Sequence, residues 1–150
     1  MASLEEMISK FEKLSFNDIF DDSVMETSED LLNHNRMQLL SGQSVQGDTL
    51  GRYKWKEYAD FKFEHSSQYH APYGTYNFDL YGDFQDAMYV RPLLTQIEVG
   101  SKDSKTKRLE GLAGGGGRVF GLSKEDLPDY ARNKFMPVYQ RRLRKQLGLI

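Results

Sequence analysis

Two histidines and a few carboxylates are the groups through which this chain would act as a catalyst. His65, His70 and Glu64 lie close enough in sequence to suggest a metal site. Zinc sites, however, use ligands at recurrent spacings, and this trio matches none of them. The same histidines beside Asp79 or Asp83 would serve a hydrolase as base and orienting acid. No nucleophile elbow, metal motif or paired-carboxylate spacing accompanies them. His34, in a helical stretch, stands alone. Gly114, Gly115, Gly116 and Gly117 invite comparison with a phosphate-binding loop. That loop needs Lys and Ser/Thr directly after its last glycine and a strand before it, whereas Arg118 and Val119 follow here. The expectation is a protein that is not an enzyme, with no catalytic residue, no cofactor and no metal. The glycines then read as a flexible loop over 112–118, because four glycines lose much conformational entropy on ordering. Such a loop orders against a neighbour.

Residues 53–63, Tyr-Lys-Trp-Lys-Glu-Tyr-Ala-Asp-Phe-Lys-Phe, offer a different chemistry. Aromatic rings interleaved with lysines stack on bases while neutralising phosphate. The lysines are matched by Glu57, Asp60 and Glu64, so the plainer expectation is a strand or amphipathic turn, aromatics inward and charges outward. A nucleic-acid-binding module that uses this segment and the basic C-terminal helix is the alternative function.

The elements that must position these groups are legible from periodicity. The central one spans residues 77–100. Turn residues centred on Gly82 and Asp83 lead into two short apolar runs, 87–90 and 93–99, with Pro92 between them at a turn or edge position. Thr95, Ile97 and Val99 alternate with Leu94, Gln96 and Glu98, the period of a half-buried strand. The expectation is a β-hairpin on which helices pack. Upstream, Leu4, Met7, Ile8, Phe11 and Leu14 predict a short amphipathic helix over 3–14, followed by a polar stretch at 15–23. Thr27, Ser28, Glu29 and Asp30 resemble a capping box. The helix they open runs to about Leu40, with Leu31, Leu32, Asn35 and Leu39 on one face and Gly42 to end it. Residues 41–52 form a loop. Thr106 to Leu112 is a helical turn. Ser123, Glu125, Asp126 and Pro128 mark the start of a last helix that ends at Leu147 and Gly148. Phe135, Val138, Tyr139, Leu143 and Leu147 form its apolar stripe, and Pro137 inside it predicts a kink.

The 150 residues make one domain with a real core: 39% are apolar, including 9 Phe, 9 Tyr and 1 Trp. No cysteine is present, so disulfides, thiolate metal sites and a Cys nucleophile are excluded. The acidic N-terminus lacks the apolar run of a signal peptide, and no stretch reaches the length of a membrane span. The net charge of −2 hides a polarity. Residues 1–30 form an acidic extension in which Lys10 and Lys13 are the only bases, whereas residues 130–150 carry Arg132, Lys134, Arg141, Arg142, Arg144 and Lys145 and no acid. The two ends face each other within one molecule, or each is a solvated face, or they meet head to tail between copies, a heterologous contact that closes a ring.

Three blocks together carry a family resemblance over roughly residues 30–147. The first is Asn35-Arg-Met-Gln-Leu-Leu-Ser-Gly42 with Gly47, Leu50, Gly51 and Tyr53. The second is Pro72, Gly74, Asp79-Leu-Tyr-Gly-Asp-Phe84 and Met88. The third is the segment 101–109 with Phe120-Gly-Leu-Ser123 and the basic C-terminal helix. In order and spacing these blocks resemble a family of virion morphogenesis proteins from phages and prophages of Bacteroidetes, related in outline to tail-completion and head–tail joining proteins. The chain departs from that family at Tyr81, where a small polar residue is usual, and at the glycine run. The resemblance implies an α+β fold, a small antiparallel sheet packed by a long helix from the N-terminal half and the basic C-terminal helix. It implies a structural virion protein of the neck or upper tail, assembled in the host bacterial cytoplasm as a homo-oligomeric ring, hexameric or dodecameric. Its partners would be portal, connector or tail proteins, with passing contact to genomic DNA and none to a membrane. The expected subunit interface comprises Arg132, Tyr139, Arg141, Arg142, Arg144, Lys145 and Leu147, with Gly115, Gly116, Asp21 and Asp22.

Overall fold

The structure is a computed structural model that describes residues 3–66, 71–79, 81–94 and 96–150. It is an α+β fold. Strands β1 (Met88–Leu93) and β2 (Gln96–Ser101) pair antiparallel, with Val90 opposite Val99. Pro92 lies inside β1 opposite Ile97, not between two runs. A two-stranded ribbon gives each strand an unpaired outer edge, the position where a residue without an N–H is tolerated. Before the ribbon, Gly82 adopts φ 87° and starts a short turn of helix, Asp83–Asp86, which buries Phe84.

Four helices precede the ribbon: α1 (Leu4–Glu12), α2 (Phe16–Glu26), α3 (Ser28–Leu40) and α4 (Lys56–His65). Helix α2 replaces the expected polar stretch. Phe16, Ile19, Phe20, Ser23 and Val24 recur at helical spacing, and the Ser15 hydroxyl accepts from the Asp18 N–H. Ile19, Ser23 and Val24 are buried, and Ser23 is satisfied because its hydroxyl donates to the Ile19 carbonyl at 2.6 Å. Thr27 precedes α3 without capping it. Its hydroxyl is instead 2.8 Å from the Ser23 carbonyl and 2.8 Å from the Tyr130 hydroxyl. The expected face of α3 (Leu31, Leu32, Asn35, Leu39) is buried. Gly42 ends the run at φ 74°, and a Cβ there would sit 2.6 Å from Thr75 Cγ2, so the left-handed backbone and the close approach both require glycine.

The core lies where α2 and α3 cover β1. Leu31, Leu39, Leu50, Phe84, Met88, Val90 and Val119 meet there. Asn35 is fully buried in it. Its Nδ2 donates to the Val119 carbonyl at 2.9 Å and its Oδ1 accepts from the Gly121 N–H at 3.2 Å.

Beyond the ribbon, α5 (Thr106–Ala113) is longer than one turn. The expected loop at 112–118 is a corner: Gly114 ends α5 at φ 90°, and Gly116–Val119 is a further helical turn. Arg118 fixes that corner, because its guanidinium donates to the Ala113 carbonyl at 2.8 Å and to Gln46 and Asp48 at 2.9 Å each. The last helix, α6, spans Asp126–Tyr130 and Met136–Leu147, joined by a wider π-type turn, Ala131–Phe135. The wide turn ends immediately before Met136 and Pro137. It lies where a ring at 137 would strike the carbonyl four residues back in a regular helix. Ser123 accepts from the Asp126 N–H at 3.1 Å, and Gly148 closes the helix at φ 72°.

Candidate functional site

A cleft of about 600 Å³ opens beside α4. Tyr53, Trp55, Tyr58 and Lys62 come from α4 and the segment before it; Tyr76, Phe78 and Asp79 come from the segment after it; Lys105, Arg108, Leu109 and Leu112 come from α5 and its start. Residues 56–63 are helical, not a strand, and of the segment's aromatics Tyr53 packs against the core while Trp55, Tyr58, Phe61 and Phe63 are exposed, Trp55 at 64%. Ala59 and Lys62, three apart, take the inner face. On α5, Lys105, Arg108, Leu109 and Leu112 have the spacing of a single face, so cations and an aliphatic strip reach the cleft together.

The aromatic wall is continuous. Tyr53 packs edge to face on Tyr76 at 4.7 Å and on Tyr58 at 5.1 Å, and Phe61 stacks on the His65 ring at 4.4 Å. Gly51 permits this wall. At φ 136° it lies so close to the Tyr76 ring that a Cβ would sit 2.7 Å from it, while the Gly51 carbonyl accepts from the Tyr76 N–H at 2.9 Å. Phe78 is the one non-glycine among the described residues with positive φ, 55°. A bulky residue held there is strained, and such strain persists only where surrounding packing enforces it.

Lys62 is 3% exposed. Its ammonium has no hydrogen bond or ion pair among the described residues, although the charge of Asp79 is near enough to act on it. Burial pushes it from 10.5 down to about 8; Asp79 opposes the fall and Lys105 adds to it. The Asp79 carboxylate accepts from the Ser66 hydroxyl at 3.0 Å. His65 is turned to its own helix, with Nδ1 2.9 Å from the Phe61 carbonyl, and His70 lies outside the described residues.

The residues expected at a subunit interface fall elsewhere. α6 packs on α2 and α1, and the acidic and basic ends face each other within one molecule. Glu26 sits between two guanidinium groups: Arg141 donates to one oxygen, and Arg142 donates to the other from Nε at 2.9 Å and Nη2 at 2.6 Å. Arg142 also approaches Asp22 at 3.5 Å, and Lys134 approaches Asp30 at 3.7 Å. The Arg141 hydrogen bond first, then that from Arg142, holds the Glu26 carboxyl below its ordinary value. Arg132, Arg144 and Lys145 are exposed and make no ion pair among the described residues. Tyr139 stacks on Phe135 at 5.7 Å and is half-buried, as is Leu147. Asp21 is half-buried on α2, Gly115 is half-buried, and Gly116 lies against the Glu110 carboxylate.

The two halves expected of a nucleic-acid module are thus not joined, since no residue of α6 lines the cleft. The cleft draws its cations from Lys54 and Lys62 of the expected aromatic and lysine segment and from Lys105 and Arg108, and sequence reasoning missed the last two. The spacing of 105, 108, 109 and 112 was the available signal, but nothing local pairs that face with α4. No protein family, curated protein or solved structure matches the chain.

Proposed function

We propose that this chain is a structural subunit of a phage neck or upper tail that assembles as a ring of identical copies against connector or tail proteins. The observation that supports it is surface. The chain exposes 9651 Å². A compact monomer of 17.4 kDa exposes about 7,900 Å². Part of that surface is apolar and belongs to α1, the start of α2 and the C-terminus. α1 buries none of its residues: Leu4 is 73% exposed, and Ile8 and Phe11 are exposed with it. Phe16 joins them, 5.8 Å from the Phe11 ring. The C-terminal Leu149 and Ile150 are also exposed, and Gly148 lies against the Lys10 side chain of α1. A patch of this kind, rimmed by polar residues, is what an interface leaves on a separated subunit.

The internal pairing of Arg141 and Arg142 changes which residues would carry the contact. The apolar end supplies the anchors. Arg132, Arg144 and Lys145 supply charge that steers approach and sets register. The test is peptide mass spectrometry of purified phage particles, quantified against the portal protein. Stoichiometric peptides at a small-integer ratio support the ring, and particles free of the chain sink it.

A further inference from the structure

The cleft beside α4 has no part in the assembly reading, yet it has the makings of a ligand site. Four features coincide there: an aromatic wall, an excess of cations, a strained Phe78, and a lysine that is 3% exposed without a bonded partner among the described residues. Apolar pockets with a few convergent polar groups, of this volume, are the usual form of small-molecule sites. Lys62 lines the cleft with little of its side chain exposed, and burial there disfavours its charge. Asp79 does not answer it by direct pairing, and Lys105 opposes it. Among the described residues, four cations (Lys54, Lys62, Lys105, Arg108) against the single Asp79 leave the cleft positive, which suits an anionic occupant. The wall facing it is made of flat rings more than of aliphatic chains, which selects a ligand with a planar face of its own.

We propose that this cleft binds a nucleotide unit, its base stacked on Trp55 and Tyr58 and its phosphate held by Lys62, Lys105 and Arg108. Guanidinium and ammonium donors form charge-assisted hydrogen bonds to phosphate oxygens. The Asp79 carboxylate, fixed by Ser66, supplies an acceptor for an exocyclic amine of the base. The unit can come from a free nucleotide or from a single strand, which share this chemistry.

Trp55 is the only tryptophan and lines the cleft, so its fluorescence reads occupancy directly. The experiment titrates the full chain with adenosine monophosphate, adenosine, inorganic phosphate and a short single-stranded oligodeoxyadenylate. Saturable quenching by the monophosphate is expected, with adenosine and phosphate each at least about tenfold weaker. Lys62→Met and Arg108→Ala should each weaken the monophosphate by about tenfold or more while circular dichroism stays unchanged. Arg108 is exposed, so its variant tests the site without touching the core. An oligonucleotide that binds more tightly than the monophosphate, with a steep salt dependence, names the strand as the source; equal or weaker binding names the free nucleotide. No saturable response to either up to about 10 mM, adenosine binding as well as the monophosphate, or no effect of both substitutions would each overturn the site. None of these outcomes depends on whether the chain forms a ring.

Discussion

Lys62 is the residue at which the fold works against its own stability. In the unfolded chain it ionises near 10.5 and in the fold near 8. Between those values the unfolded state holds a proton that the folded state lacks, so stability rises with pH through that window, and the penalty is complete below it. Lys62→Met keeps the length of the stem and removes the ammonium. At about pH 7 the variant should be more stable by on the order of 2–3 kcal/mol, and the gain should vanish by about pH 10.5. Urea melts of both proteins at several pH values check this. A variant no more stable than the parent at neutral pH would mean that water reaches the amine. Asn35 is the opposite case, a buried polar group with both ends of its amide bonded across the core. Asn35→Ala strands the Val119 carbonyl and the Gly121 N–H, so a loss of about 2–4 kcal/mol in the same melts is expected. Asn35→Asp should recover little of it, because a carboxylate cannot donate to Val119.

At the scale of elements, the contact of α2 with α6 rests on the T-shaped Phe20–Phe135 pair at 5.6 Å, with the Glu26 fork beside it. The Glu26 carboxyl is held low, chiefly by the Arg141 hydrogen bond. Its contribution is therefore full above the unfolded carboxylate value and is lost as pH falls through the folded value. Glu26→Gln should lower the melting temperature at neutral pH, and the deficit should shrink below about pH 4 and in about 1 M salt. Calorimetry across pH decides it; a constant deficit would assign the effect to packing. The same contact shows how far sequence carried. The apolar stripe of α6 and the buried leucines of α3 were readable because apolar residues recur at helical spacing over several turns. α2 was not, because Asn17, Asp18, Asp21 and Asp22 interrupt the apolar residues Phe16, Ile19 and Phe20. The helicity of α4 and its rotation were hidden for a different reason. Which side of α4 turns inward is set by residues outside it, such as Tyr73, which packs on Phe63 and donates to Asp60, a tertiary fact that no local pattern encodes. The glycine corner likewise depends on Arg118 reaching Asp48, seventy residues back.

Across the whole molecule, part of the charge polarity is paired internally, through Glu26 with Arg141 and Arg142, and a group of apolar residues at α1 and the C-terminus is left exposed. These two facts constrain how copies would meet. Opposite charges at opposite ends suggested a head-to-tail joint, but Glu26 is already committed to Arg141 and Arg142, and exposed ion pairs contribute little individually. Association would then draw on the burial of Leu4, Ile8, Phe11 and Phe16, each worth about 1.5–3 kcal/mol when fully covered. Ile8→Asp with Phe11→Asp tests this directly. Neither side chain is buried in the monomer, at 50% and 55% exposed, so the pair of changes should leave the melting temperature within a few degrees of the parent. Sedimentation velocity over a wide concentration range should show the parent shifting to larger species and the double variant remaining a monomer. If both proteins stay monomeric, the apolar end must instead meet a different partner, and incorporation into particles becomes the discriminating measurement. If the double variant assembles as well as the parent, the contact lies elsewhere, with Arg132, Arg144 and Lys145 the remaining exposed candidates on α6 and the turn within it.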